Sequence, residues 1–347
     1  MIEKEIYGYL EEKPIYKYTV SNKAMKFSCI SYGAALTEIC VPDKNNNATN
    51  VLLNFDKLEH YINDRKMFAG AAIGRVAGRI EKGCYNINGK SYEVEGNEGE
   101  NLLHGGKSGF NSYIWESKFS EEENSITFHK KIEEAVGGFN GQLNAQITYS
   151  LNDNNDLEIN FKGSSDVDTL FNPTIHSYFN LSGNLDNLLK NHLLKINADY
   201  IAETRSDNIP TGKLKEVKNT AFDFLTFKDL MTVIETLKKE EALVGIDHPF
   251  MLKAKNAATL INYETGIMLE IESDRNALIV YTLNFPCEDF EMDGKKIPKY
   301  GAVALEPQTL PDAINHEGFG DIVLPKNEVK EYSIKYHFDL VFKILDN

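Results

Sequence analysis

A glutamate, Glu306, closes the apolar run Val303-Ala304-Leu305 just ahead of Pro307 and Gln308. Glutamate is rarely buried without a purpose. Desolvation in such a run raises a carboxyl pKa towards working pH, as a general base requires. A strand-end glutamate reaching solvent is the alternative reading. A second group lies in Asn172-Pro173-Thr174-Ile175-His176-Ser177-Tyr178-Phe179-Asn180-Leu181. Alternate residues of a strand share a face, so His176, Tyr178 and Asn180 are expected on one side. Ile175, Phe179 and Leu181 then form an ordinary core face on the other. The polar, aromatic face suits a sugar cleft, with a ring for apolar sugar carbons and donors for hydroxyls. Taken alone, it equally describes a strand facing solvent.

Three further segments carry groups of the same kind. In Asn101-Leu102-Leu103-His104-Gly105-Gly106 the glycines let the backbone bend or approach a ligand closely, beside a histidine. That histidine either serves a site or caps a turn. Residues 69–80 crowd small side chains around Arg75 and Arg79, without the spacing of a dinucleotide or phosphate loop. A tightly packed Arg79 needs acceptors, which are either sugar hydroxyls or the carboxylate of a structural ion pair. Gly245-Ile246-Asp247-His248-Pro249-Phe250 sets an ionisable pair in an apolar stretch. A buried aspartate must be paired or hydrogen-bonded, with a turn-forming role as the alternative. His60, His129, His192, His316 and His337 show no metal-like spacing and are read as surface or packing residues. Cys29, Cys40, Cys84 and Cys287 are scattered without CxxC spacing and are read as reduced.

The elements that must position these groups are mostly strands. Leu143, Ala145, Ile147, Tyr149 and Leu151 alternate with polar residues, a turn at 152–155 comes next, and Leu157, Ile159 and Phe161 alternate again. That is a hairpin. The pattern recurs at Ile267, Leu269 and Ile271, and at Tyr332, Ile334, Tyr336 and Phe338. Turns are expected at residues 43–47 and at Asn88-Gly89. Leu230, Val233, Ile234 and Leu237 are spaced for one short helix, and Leu58 with Tyr61 marks another. No strand–helix rhythm supports a parallel α/β fold. The expectation is one all-β domain over residues 1–347: a large antiparallel β-sandwich with a few short helices.

Composition bounds the partners. Apolar residues make up 42% of the chain, enough for a sizeable core, and 26% are charged, as in soluble globular proteins. A net charge of −15 repels nucleic acid and anionic lipid and disfavours phosphorylated substrates, but leaves a neutral sugar unaffected. Met1-Ile2-Glu3-Lys4-Glu5 has no apolar leader, and no apolar run approaches the roughly 18 residues of a membrane span. A cytoplasmic protein without membrane partners is expected.

Together the segments resemble the aldose 1-epimerase (galactose mutarotase) family. The resemblance runs from Tyr32-Gly33-Ala34-Ala35 through Gly74-Arg75-Val76-Ala77-Gly78-Arg79-Ile80, the His104 loop with Trp115 beyond it, and the His176 strand. It continues through Ile209-Pro210-Thr211-Gly212, the Asp247 segment and Tyr281-Thr282 to Glu306-Pro307-Gln308-Thr309-Leu310-Pro311-Asp312-Ala313-Ile314-Asn315. The resemblance implies the galactose mutarotase-like supersandwich, no metal or cofactor, and interconversion of the α and β anomers of a free aldohexose such as D-galactose or D-glucose. It implies Glu306 as base at O1, His176 as acid at O5, and His104 polarising the sugar oxygens. Arg79 and Asp247, with Asn101 and Tyr178, would bind substrate. Gly78 stands where many relatives place Asn, which bears on hydrogen bonding near Arg79. Phe139-Asn140-Gly141, Pro249 and Leu324-Pro325-Lys326-Asn327-Glu328 depart as well. Two other functions stay open: a silent sugar-binding protein on the same scaffold, and a hexose 6-phosphate epimerase, which would need several basic groups in the cleft.

Overall fold

A computed structural model describes residues 1–133 and 136–341. The alternation read from the sequence becomes a ladder. Strands Leu143–Leu151 and Asp156–Ser165 pair antiparallel, from Leu143 opposite Ser165 to Leu151 opposite Leu157, and their odd-numbered apolar residues are buried. They lie within a nine-stranded sheet. There Val329–Leu340 pairs with Asp156–Ser165 on one side and Ile267–Ser273 on the other. A six-stranded sheet runs in the order Tyr178–Phe179, Val303–Gln308, Ala277–Tyr281, Asp247–Leu252, Ala198–Thr204 and Pro210–Glu216. The first five strands, from Ile2–Leu10 to Ala48–Asn50, form a third sheet. Every ladder between the named strands is antiparallel, as the missing strand–helix rhythm implied.

One cluster of buried side chains joins the layers. It takes Ile147, Ile159 and Tyr336 from the large sheet, Phe250, Val280 and Leu305 from the six-stranded sheet, and Tyr18 and Phe27 from the N-terminal sheet. Edge-to-face rings mark the contacts: Phe179 lies 5.2 Å from Tyr336, and Tyr18 lies 6.1 Å from Phe128. Among the described residues there are two α-helices, Leu58–Asn63 and Leu230–Glu240, where the apolar spacing placed them. The second buries Leu230, Val233, Ile234 and Leu237, and Asp229 caps it by accepting from the Thr232 N–H at 2.8 Å.

Two strands explain how chemistry is built on this core. In Val303–Gln308 the odd face, Val303 and Leu305, joins the central cluster, so Ala304, Glu306 and Gln308 look the other way. The Leu305 N–H points towards the Ser177 carbonyl, away from Ala277–Tyr281. Pro307 lies two residues on, so its missing N–H falls on that same side and deprives Ala277–Tyr281 of no ladder bond. The His176 segment is not one strand. Thr174–Ile175 pairs with Ala72–Ile73, and Tyr178–Phe179 then pairs with Val303–Gln308, so His176 and Ser177 sit at a handover between sheets. Residues 172–181 are buried on both faces, which removes the solvent-facing alternative.

Candidate active site

A cleft of about 250 Å³ lies over the even face of Val303–Gln308. Alternate residues of neighbouring strands form one wall: Glu306 and Gln308, Ile279 and Tyr281, Asp247 and Pro249. The register explains the grouping, because Glu306 pairs with Ile279, Ile279 with Pro249, and Tyr281 with Asp247. Phe68, Gly78, Arg79, Glu98 and His104 close the opposite side. The volume lies below the range usual for drug-sized ligands, which points to one small molecule.

At the floor, Glu306 Oε1 lies 3.4 Å from His176 Nε2, with Glu306 only 2% exposed and His176 5%. Glu306 Oε2 and His176 Nδ1 have no protein partner among the described residues. Burial pushes the Glu306 carboxyl up to about 8; the Asp247 charge pushes the same way and Arg79 partly opposes it. Burial drives the His176 imidazole down to about 3. Each group is therefore held towards its neutral form. At neutral pH the pair carries one proton that either member can hold. Packing fixes the His176 ring, which lies 4.8 Å from Tyr178 and stacks on Phe68 at 6.1 Å. Backbone bonds from His176 N to Ala71 and from Gly70 N to His176 O pin its position.

His104 presents its edge to His176, with ring centroids 5.2 Å apart. The Gly78 N–H donates to His104 Nδ1 at 3.2 Å. A backbone N–H can only donate, so Nδ1 is the acceptor and the ring proton sits on Nε2. Burial, and then the neighbouring His176 and Arg79, hold the His104 pKa well below its usual value, which keeps this tautomer neutral. His104 is thus a fixed N–H donor. The same tautomer bears on metal binding. His104, His176 and Glu306 offer ligand atoms within 4.8 Å of one another, the donor set of a two-histidine, one-carboxylate centre. A protonated Nε2 has no lone pair to give, and its partner nitrogen already accepts a hydrogen bond. The cluster is therefore poorly suited to an ion.

Arg79 resolves both of its alternatives at once. Nε and Nη2 form a bidentate pair with Glu98 at 2.6 and 2.8 Å, while the side chain lines the cleft. Burial opposes its charge, but Glu98 and Asp247 more than offset that, raising its pKa. Asp247 opens a strand rather than forming a turn. It accepts from Asn208 at 3.2 Å, and burial raises its pKa against the pull of Arg79.

Two sequence expectations are corrected. Asn180 does not share the cleft face with His176 and Tyr178, because its amide donates to the carbonyls of Gly301 (2.7 Å) and Leu188 (3.1 Å). The chain leaves its short strand at Phe179, and alternation no longer governs the residues beyond it. Asn101 does not line the cleft: its Oδ1 accepts from the Lys82 N–H and its Nδ2 donates to Asp207, so it ties loops together. Tyr178 does line it. Sequence reasoning missed Phe68, Glu98 and Gln308. For Gln308 the signal was present, since it stands two residues beyond Glu306 on one strand face. Its buried amide has no protein partner on either atom among the described residues.

The arrangement has close structural counterparts. A galactose 1-epimerase from Lactobacillus acidophilus NCFM superposes with a TM-score of 0.86 over 98% of this chain and 99% of that one, at 26% identity. The fold and its buried imidazole–carboxyl site define a galactose mutarotase-like β-sandwich protein. In sequence, an aldose 1-epimerase of Streptococcus thermophilus is 37% identical over 97% of this chain and 98% of its own length. A maltose epimerase of Levilactobacillus brevis is 32% identical with the same coverage. The profile of the family described as Aldose 1-epimerase matches residues 16–337. The chain belongs to the aldose 1-epimerase family.

Proposed function

We propose that the protein acts as one domain that interconverts the α and β anomers of free hexoses such as D-galactose and D-glucose. The observation that carries this is the His176–Glu306 pair, 3.4 Å apart and buried in a cleft sized for one small ligand. A bound pyranose offers its O1–H to the unpartnered Glu306 Oε2 and its O5 lone pair to His176 Nε2. Those contacts favour the carboxylate, so the shared proton rests on the imidazole. Glu306 then takes the O1 proton, the C1–O5 bond breaks, and His176 protonates O5. The aldehyde and a neutral pair remain. Rotation about C1–C2 and reversal of the same transfers close the ring on the opposite face. His104 Nε2–H donates to the sugar oxygens near C1, while Arg79 and Asp247 hold ring hydroxyls. Each positioned acid or base contributes about 10²–10⁴ in rate.

A phosphorylated hexose fits less well. The cleft's carboxyl groups, from Glu98, Asp247 and Glu306, outnumber its cations, Arg79 and Lys66, and Arg79 is already committed to Glu98. A binding-only role leaves the acid–base pair unexplained. No described helix is long and apolar enough to cross a membrane, and we place the reaction in the cytoplasm. Polarimetry of freshly dissolved α-D-galactose and α-D-glucose tests the reading. The purified protein should accelerate the decay, and Glu306→Gln and His176→Asn should each lower kcat by roughly 10²–10⁴. Near-normal turnover in either variant would remove that residue from the mechanism.

A further inference from the structure

Behind the cleft lies a cation that the proton transfers do not use. Arg275 is 4% exposed and lines no part of the cleft. Burial lowers its pKa to about 10, which leaves it charged at neutral pH. Among the described residues it forms no ion pair. Its Nη2 donates to Asn172 Oδ1 and, at 2.8 Å, to Thr309 Oγ1. The guanidinium carbon lies 3.4 Å from the centre of the Tyr332 ring, and Nε and Nη1 have no hydrogen-bond partner. A buried charge without a counter-charge costs stability. An apolar side chain of similar volume often serves a fold as well or better. Folding alone does not account for this arginine.

What Nη2 joins does account for it. Asn172 stands four residues before His176, and Thr309 three after Glu306. Asn172 Oδ1 also accepts from the Thr309 N–H at 3.0 Å. Its Nδ2 donates to the carbonyls of Thr309 (3.3 Å) and Ala77 (3.4 Å), the latter two residues before Arg79. Two donors on one oxygen decide which way the amide faces, so its nitrogen meets both carbonyls. One amide thus ties together the segments that carry the imidazole, the carboxyl and Arg79, and Arg275 holds that amide from behind. Thr174 Oγ1, bonded to the Pro307 carbonyl at 2.7 Å, keeps the first two segments joined when that hold is lost.

We infer that Arg275 is a positioning residue of the anomerase reaction: through Asn172 and Thr309 it sets the separation of His176 and Glu306 without touching the sugar. This rests on the proposed anomerase reading. Proton transfer to and from O1 and O5 of one ring needs heavy atoms within about 2.6–3.2 Å. A misplacement of about 1 Å, caused from outside the reacting centre, costs up to about a hundredfold in rate. Binding is less sensitive, because Glu98 anchors Arg79 and Asp247 stands two strands away from Glu306.

The test is polarimetry of α-D-galactose and α-D-glucose over a range of concentrations, with the wild-type protein, Arg275→Met, Thr309→Val and Thr309→Ser. Urea curves from the fluorescence of buried Trp115 show which variants are folded. Arg275→Met should lower kcat about tenfold to a hundredfold, with KM moved by less than about threefold. Thr309→Val should lower kcat in the same sense but less, and Thr309→Ser, which keeps the hydroxyl, should restore it. The alkaline limb near pH 8 should stay in place, because burial and Asp247 set the Glu306 pKa. A limb displaced to higher pH in Arg275→Met would mean that the arginine acts by its charge, and would overturn the positioning role. So would a wild-type kcat in that variant, or a loss confined to KM or to stability. If Arg275→Met does not fold, the Thr309 pair decides: a wild-type kcat in Thr309→Val, or a loss that Thr309→Ser fails to restore, overturns the inference. Wild-type protein that accelerates neither sugar would instead sink the anomerase reading.

Discussion

Replacing Glu306 with glutamine should make the protein more stable, by an amount that grows with pH. The folded state holds the carboxyl at about 8 against an ordinary 4.5, chiefly because the side chain is buried. At about 1.36 kcal/mol per tenfold change, that displacement is worth roughly 5 kcal/mol once both states are ionised. Below pH 4.5 the folded and unfolded chains both keep the proton, and nothing separates them. Between 4.5 and 8 the unfolded chain releases it while the folded chain retains it, so stability falls as pH rises. Glutamine has no proton to lose. Integrating the two titrations from pH 5 to pH 9 gives the variant a gain of about 4 kcal/mol over the wild type. His176 works in the opposite direction, since its depressed pKa makes a contribution that is complete above 6.5 and lost as pH falls towards 3. It is present in both proteins, so its contribution largely cancels in the difference. Trp115, the sole tryptophan and buried, reports unfolding by fluorescence. Urea titrations at pH 5, 7 and 9 should show the two proteins diverging steadily. Stability differences that stay level across that range would refute the desolvated carboxyl, and with it the physical basis for calling Glu306 a tuned base.

The same electrostatics shape turnover. The singly protonated His176–Glu306 pair should give a kcat/KM profile that is flat near pH 5–7 and falls above about 8. Because the Asp247 charge helps raise Glu306, Asp247→Asn should move the alkaline limb to lower pH and raise KM; a limb that stays put or moves up would contradict this. At Gly78, φ is +73° and an added Cβ would lie 2.9 Å from Gln308 Oε1 and 3.1 Å from Pro311 Cβ. Gly78→Ala should therefore lose about 1–2 kcal/mol in urea unfolding and raise KM more than it lowers kcat. An alanine variant with wild-type stability and KM would show that neither the turn nor the Gln308 amide is constrained there.

Period-two patterning carried most of the fold. Leu143–Leu151 and Asp156–Ser165 were legible because one face is buried along their whole length. The same rule placed His176 with Tyr178, and applied to Glu306 it would have found Gln308. It failed at Asn180, where the chain has already left the short strand that Val303–Gln308 stabilises. Nothing local marks such a handover between sheets. Asn101 sits in a specific local motif, but its amide is consumed by Lys82 and Asp207, contacts that depend on how separate loops meet.

The charges of the site divide in the same way. That a glutamate inside an apolar run is hard to ionise is a consequence of burial alone, and the sequence reveals the run. The balance itself is set at long range: Asp247 adds its field, and Arg79 relieves part of it while already bound to Glu98. Glu98 had no signature, since an acidic residue in the polar stretch Glu95-Gly96-Asn97-Glu98 looks like solvated surface. Yet it holds the guanidinium in place with two hydrogen bonds and favours its charged form. Burial and the Asp247 charge keep the base poised near neutrality, and burial, with Phe68 and Tyr178 packed beside it, holds the opposing histidine towards its neutral form.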